Sequence, residues 1–267
     1  MNTFKIISSL LKHTVSTFFR KEKYEYNEDV QDIVKKIKKD GYIIIPNFYT
    51  SKECQILRDE IDRLIDIYKD ENILWRDTLN CDQRLYMSND RSELINRFYK
   101  DKFLSSVAEN YFKGKMSVMQ TLGSKLSFVK DNKGSGGGWH RDANFFQFKC
   151  ILYLSNVDNS NGPFQIIENS HKLKSIIKDT TIMRKKSLDV RISDDEIERL
   201  INIDSNRYKQ LISSQGTLIF VDSSCIHSGK PIEYGSRYTL FNYFYPSYDD
   251  VKKRKSDFIK VMEGYNS

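Results

Sequence analysis

Along the chain, apolar positions first repeat with the period of a helix and later with the period of a strand. Residues 28–40 form a charged amphipathic helical segment ending at Gly41, and the β-rich run Tyr42-Ile43-Ile44-Ile45 follows, stopped by Pro46. Thr50 and Glu53 have capping-box spacing, in which a hydroxyl and a carboxylate each meet an orphan backbone amide. The helix they open carries Cys54, Leu57, Ile61, Leu64, Ile65 and Tyr68 on one face. Residues 91–113 read as helical again, in one or two pieces. From about residue 117 the period becomes two: Val118, Gln120, Leu122, Ser124, Leu126 and Phe128 alternate with their neighbours as in a half-buried strand. Asp131 to Gly138 is a loop rich in Gly, Ser and charge. Strand-like runs recur at 145–155, 163–168, 180–192, 207–213, 216–222 and 236–245, interrupted by one helix that starts at the Ser193–Glu196 capping box.

Helices first and strands afterwards predict a mainly β fold with flanking helices, built on an antiparallel barrel or a two-sheet sandwich. The 267 residues suit one large domain over 28–267, with residues 1–27 as an amino-terminal extension. In that extension Phe4, Ile7, Leu11, Val15 and Phe18 fall at helical spacing among lysines. Packing on the domain is the plain reading, and a weak membrane-surface or partner helix is the alternative. Polar residues interrupt the apolar stretch, which argues against a secretory signal, and no segment is long and apolar enough to predict a transmembrane helix.

Composition changes this picture little. The 43 basic and 36 acidic residues leave +7, but the excess is scattered over what read as solvated helix faces. No zinc-finger spacing, recognition-helix pattern or aromatic–basic RNA signature accompanies it, so nucleic acid is not an expected partner. The four cysteines are widely spaced without a CxxC, which fits a reducing, cytoplasmic setting rather than a disulfide framework.

The chemistry concentrates in few residues. Two of the four histidines occupy informative places. In Gly138-Trp139-His140-Arg141-Asp142, residues two apart on an extended segment point the same way, so His140 and Asp142 can face one metal. His227 follows the apolar run Leu218-Ile219-Phe220-Val221, is expected to end that strand, and supplies a third ligand. Two histidines and a carboxylate on one face of an octahedron leave open positions, as in non-haem iron(II) oxygenases; a zinc or manganese hydrolase or isomerase on a cupin-like barrel, or a barrel that only binds, remain alternatives. Arg237 lies ten residues on, across a turn at Pro231 and Tyr234-Gly235, and is expected on a strand neighbouring that of His227. A guanidinium buried in a barrel requires an anion, and a dicarboxylate such as 2-oxoglutarate provides one.

The chain resembles the phytanoyl-CoA dioxygenase family of iron(II)/2-oxoglutarate enzymes over about residues 38 to 246. The resemblance is carried by Asp40-Gly41-Tyr42-Ile43-Ile44-Ile45-Pro46-Asn47-Phe48, Trp139-His140-Arg141-Asp142, Asn161-Gly162-Pro163, Asn169-Ser170-His171-Lys172, Gly216-Thr217-Leu218-Ile219-Phe220 and the His227–Arg237 spacing. It implies a double-stranded β-helix (a jelly-roll, cupin-like barrel) with iron on His140, Asp142 and His227, dioxygen as oxidant, and Arg237 on the distal carboxylate of 2-oxoglutarate. It further implies hydroxylation of an unactivated C–H bond in a small-molecule or carrier-linked substrate, with release of succinate and CO2. Relatives that halogenate replace the acidic ligand by Gly or Ala, so Asp142 points to hydroxylation. The chain departs from the family at Glu168-Asn169, where Pro-Gly is usual, at Arg141, where Gln is common, and at Gly229, where a hydroxyl often helps hold the co-substrate.

Other residues carry plainer readings. Ser124 and Gln120 fall on the apolar face of their strand and are candidate co-substrate contacts. His171 is expected to make a structural hydrogen bond, and Trp139 to pack over the site entrance or touch substrate. Arg141 is expected to point away from its neighbours, with steering of an acidic substrate as its alternative role. Gln147 and Lys149 share a strand face with Ile151 and Tyr153, and line the pocket or face solvent.

Overall fold

The structure, a computed structural model, describes residues 28–144, 147–185, 189–247, 253 and 255–257; the amphipathic segment at 1–27 lies outside them. Four helices precede or interleave the first strands: α1 (Glu28–Asp40), α2 (Ser51–Ile67), α3 (Glu93–Tyr99) and α4 (Lys102–Phe112). The capping box at Thr50 and Glu53 is formed, and Asp101 caps α4 by accepting from the amides of Phe103 and Leu104. The strands are β1 (Tyr42–Ile45), β2 (Leu74–Arg76), β3 (Asp82–Leu85), β4 (Met116–Ser127), β5 (Phe148–Tyr153), β6 (Phe164–Ile167), β7 (Tyr208–Leu211), β8 (Leu218–Asp222), β9 (His227–Gly229) and β10 (Ser236–Pro246). Seven of them form one antiparallel sheet in the order β1-β8-β5-β10-β4-β3-β2, and β7-β6-β9 form a second.

Both faces of the large sheet are covered, which explains why its central strands read as unbroken apolar runs. On the outer face, Phe148, Cys150 and Leu152 of β5, Phe220 of β8 and Phe244 of β10 pack against Ile37, Ile61, Phe98 and Leu104 of the four helices. On the inner face, Ile151, Tyr153, Ile219, Val221 and Phe241 meet Phe164, Ile166 and Leu211 of the small sheet. The two sheets thus close a jelly-roll interior, and the mixed α and β fold is the double-stranded β-helix class expected from the sequence. No helix among the described residues is long and apolar enough to cross a membrane.

Several local expectations need correction. The described part of 180–192 holds no strand beyond an isolated bridge at Arg191: α5 (Leu173–Ile182) runs through its start and precedes α6 (Asp194–Ile203), so two helices interrupt the β region among the described residues. The β-branched cluster Ile176, Ile177, Thr180, Thr181 and Ile182 favours strand locally, but burial of Ile176 and Asp179 three residues apart fixes a helix face. Strands β2 and β3, too short to give a periodic signal, had not been expected. The alternation from Val118 to Phe128 is not one face either. A register shift between Asn242 and Phe244 leaves Val118 on the helix side while Leu122 faces the barrel interior.

Gly216, at the turn into β8, has φ +83°, and a Cβ there would lie 2.0 Å from the carbonyl oxygen of Tyr49. Its own carbonyl accepts from the amides of Phe48 and Tyr49 at 2.8 and 3.0 Å. Gly216→Ala therefore breaks the seam that holds α2 to the barrel. We expect it to cost roughly 3 kcal/mol or more, read as a lowered urea midpoint.

Candidate metal centre

The loop before β5 is stitched to the barrel by backbone bonds. His140 N–H donates to the His227 carbonyl at 2.9 Å and His227 N–H returns the bond at 2.8 Å, while Asp142 N–H donates to Ser223 O at 2.9 Å. Across the segment, Arg141 N–H meets Val190 O and Ile192 N–H meets Trp139 O. The segment is thus an extended edge piece, and the two-residue alternation puts the side chains of His140 and Asp142 on one side. Asp142 Oδ1 lies 3.4 Å from Nε2 of both His140 and His227. Among the described residues these three form a group able to hold a metal ion, with ligand atoms all within 4.8 Å of one another.

The donor set fits a divalent cation. His140 Nδ1 meets Gly138 O at 2.8 Å and His227 Nδ1 meets Cys225 O at 2.9 Å. A carbonyl only accepts, so each ring carries its proton on Nδ1 and keeps an Nε2 lone pair facing the space beside Asp142 Oδ1, where at His227 it accepts from the Lys149 ammonium. Metal–ligand bonds of roughly 2.0–2.2 Å place neighbouring donors about 3 Å apart, close to the spacing present. The Phe164 ring stacks on His227 at 5.1 Å and fixes its plane.

His227 does not end β8. The chain turns at Ser223 to Cys225 and His227 opens β9, paired with Ile166 in the small sheet. Arg237, on β10 of the large sheet, is therefore not on a neighbouring strand. The two face one cavity from opposite sheets, because barrel closure rather than hairpin pairing brings them together. The cavity measures ≈ 310 Å³ and is lined by His140, Asp142, His227 and Arg237 with Arg84, Lys149, Phe164, Phe241 and Tyr243 among others.

Arg237 is 3 % exposed, and its Nε is buried without a hydrogen-bond partner. Burial pushes its pKa down, partly offset by the fields of Tyr153 and Asp82. Lys149 faces inward with Ile151 and Tyr153. Its ammonium donates to Asp142 Oδ2 at 2.8 Å and to His227 Nε2 at 3.0 Å, over the rings of Phe164 and Tyr243.

The electrostatics follow. Burial pushes His227 down to about 4, helped by the Lys149 charge. Burial works to raise Asp142, but the Lys149 ammonium on Oδ2 holds it well below the carboxylate range. A histidine that stays neutral when folded binds fewer protons than the unfolded chain between about 4 and its usual 6.5. The metal-free protein should therefore lose stability as pH falls through that window, by up to about 3 kcal/mol at 1.4 kcal/mol per unit. Denaturant melts at pH 7 and pH 5 check it; His227→Gln should flatten the difference.

The remaining sequence candidates fall in different places. Leu122 reaches the cavity wall, and its strand neighbours Gln120 and Ser124 do not. Gln120 Oε1 accepts the Met87 amide at 2.9 Å. Ser124 is 1 % exposed with an unpartnered hydroxyl, and lies opposite Thr239, whose hydroxyl is also unpartnered. Arg141 points away as expected, with Nη1 on the carbonyls of Ser170 and Ser224. His171 bonds Lys38 O and Cys225 Sγ, a structural role. Trp139 packs on Tyr208 and lines a second cavity at the entrance. Sequence reasoning missed Arg84 and Arg191, since neither lies in a motif; only the Asp82–Arg84 alternation hinted that an acid holds Arg84, here at 2.6 Å.

The family model for phytanoyl-CoA dioxygenase (PhyH) matches residues 37–233, most of the chain and a span that includes His140, Asp142 and His227. The chain belongs to this family. Among curated PhyH relatives, the ectoine dioxygenase of Stutzerimonas stutzeri (strain A1501) is 22% identical over 154 residues, 53% of this chain and 50% of that protein. The chain thus aligns with about half the length of the curated relatives it matches. Among solved structures, EctD from S. alaskensis with bound Fe superposes with a TM-score of 0.66 at 16% identity, covering 84% of this chain and 80% of that one. The epimerase SnoN in complex with Fe3+, alpha ketoglutarate and nogalamycin RO gives a TM-score of 0.62 at 13% identity, covering 82% and 84%. At such identities these likenesses establish the fold, and PhyH membership rests on the family match.

Proposed function

We propose that this chain is an iron(II)- and 2-oxoglutarate-dependent dioxygenase that hydroxylates an unactivated C–H bond, releasing succinate and CO2. The observation that carries the reading is the unpaired, buried Arg237 sharing one cavity with His140, Asp142 and His227. An isolated buried cation is costly, so the site is built to receive an anion. A dicarboxylate whose keto-acid end can meet a metal suits it.

Iron(II), when bound, supplies the capacity to activate dioxygen and couple oxidation of 2-oxoglutarate to that of the substrate. The chain's own residues do the rest. His140, Asp142 and His227 would hold the ion, their ligand atoms lying within 4.8 Å of one another. Lys149 keeps Asp142 Oδ2 occupied at 2.8 Å, leaving Oδ1 as the ligating oxygen. Arg237 would meet the distal carboxylate, for which a guanidinium offers paired donors. Ser124 and Thr239 lie opposite each other beside Arg237 but behind the cavity wall, and Gln120 is committed to the Met87 amide, so none of the three is assigned a contact with that carboxylate. Gly229 lacks the hydroxyl common in relatives. A side chain there would strike Ser135, whose own side chain fills the space and meets Arg84 at 3.2 Å. Ser135 thus takes over that polar position. Leu122, Phe164, Phe241 and Tyr243 keep water from the reacting groups.

The substrate is a small molecule, free or carrier-linked, met in the cytoplasm. The test is an anaerobic titration of the iron(II)-loaded chain with 2-oxoglutarate, followed by screening for substrate-stimulated succinate release in air. A visible absorption band on chelation and iron-dependent succinate are expected. A chain that binds iron but gives neither would overturn the reading. Product analysis separates hydroxylation from epimerisation.

A further inference from the structure

With the co-substrate's groups assigned, the cavity still holds more positive charge than its contents balance. Five cationic side chains line it, Arg84, Arg141, Lys149, Arg191 and Arg237, against one acid, Asp142. Arg84 is answered by Asp82 at 2.6 Å and Lys149 by Asp142 at 2.8 Å. Arg141 is turned onto carbonyls, in the fields of Asp179 and Asp222. A divalent ion offsets the two carboxylates of 2-oxoglutarate, one of which Arg237 meets. Arg141 is buried against protein carbonyls and Arg237 is assigned to the co-substrate, so the cation left accessible to a further ligand is Arg191, which is exposed at the rim.

Arg191 is placed for a role in binding. Its backbone bridges to His140, one ligand of the metal centre. Its Nη1 donates to the carbonyls of Gly136 and Gly137 at 2.7 and 3.3 Å. Those carbonyls orient the guanidinium without neutralising it, and Nε and Nη2 keep no protein partner among the described residues. The residue lines both the metal cavity and the ≈ 860 Å³ cavity outside it, so it stands where the two join. Val190 and Phe164 offer apolar surface beside it in the inner cavity.

We infer that Arg191 is a specificity-determining residue that binds an oxyanion, carboxylate or phosphate, of the primary substrate at the mouth of the metal cavity. A planar fork with free donors suits either group, and a ligand anchored there enters the cavity that His140, Asp142 and His227 line. The inference rests on the proposed function, since it assumes 2-oxoglutarate fills the Arg237 site.

The test uses the full chain loaded with nickel(II) and saturating 2-oxoglutarate, titrated calorimetrically with butyrate, butyl phosphate and neutral butyramide. At least one anion should bind about tenfold or more tightly than the amide, and whichever anion does so names the substrate's charged group. Arg191→Gln should lower that affinity by about tenfold or more and leave 2-oxoglutarate affinity unchanged, while Arg191→Lys retains much of it. Equal binding of anion and amide by the wild type, or wild-type anion affinity in folded Arg191→Gln, would overturn the inference. If that variant fails to fold, the wild-type anion-to-amide ratio decides alone. Failure of 2-oxoglutarate itself to bind the nickel-loaded chain strikes the functional reading instead, and this inference falls with it.

Discussion

Asp142→Ala should abolish metal retention and substrate-stimulated succinate release together, with metal affinity falling by more than about 100-fold. The carboxylate is the only negative charge among the described cavity-lining residues, and it does two things at once. Oδ1 faces both Nε2 atoms at 3.4 Å, and Oδ2 holds the Lys149 ammonium at 2.8 Å. Removing it leaves an incoming dication facing two neutral imidazoles and an unanswered ammonium. Breaking the buried pair should also lower the stability of the metal-free protein by about 3–5 kcal/mol. His140→Ala separates the two effects, since it removes a ligand and keeps the Lys149–Asp142 pair. It should lose metal and activity with a nearly normal denaturant midpoint. Calorimetric titration with cobalt(II) and urea melts of both variants check this. Retained cobalt affinity in both would remove these residues from the metal site.

Arg237→Met should act in opposite directions on binding and stability. Truncating one partner of a buried charge pair costs about 2–5 kcal/mol, so 2-oxoglutarate affinity should fall roughly 30- to 5000-fold. In the ligand-free protein the same guanidinium is 3 % exposed with Nε unsatisfied, so an apolar side chain of similar length should stabilise the fold by about 1 kcal/mol or more. Arg237→Lys keeps the charge without the two-pronged geometry and should lie between. Unchanged 2-oxoglutarate affinity in Arg237→Met would place the co-substrate elsewhere. A loss of stability in the ligand-free state would mean that Arg237 supports the barrel rather than waiting for a ligand.

The contrast between these residues and the ones found only in three dimensions has a common cause. His140 and Asp142 were legible because a two-residue alternation on an extended segment is a local rule, and the backbone bonds at 139–142 obey it. The capping boxes at Thr50 and Ser193 were legible for the same reason, and both are formed. The strand expected over 180–192 failed because β-branched residues state a preference that burial of one helix face can override. The face reading of β4 failed because a register shift is set by the partner strand, β10, more than a hundred residues away.

The sequence by itself determined the candidate ligands His140 and Asp142, the order of helices before strands, and the presence of an arginine at the start of an aromatic strand. These depend on residue chemistry and short-range periodicity. Only the tertiary structure decided that His227 belongs to β9 of the small sheet and faces Arg237 across the interior. It alone brought Lys149 within hydrogen-bonding reach of two ligands and set Arg191 beside His140 at the mouth. Those neighbours come from closing two sheets on each other, and the distances closure creates leave no trace in local spacing.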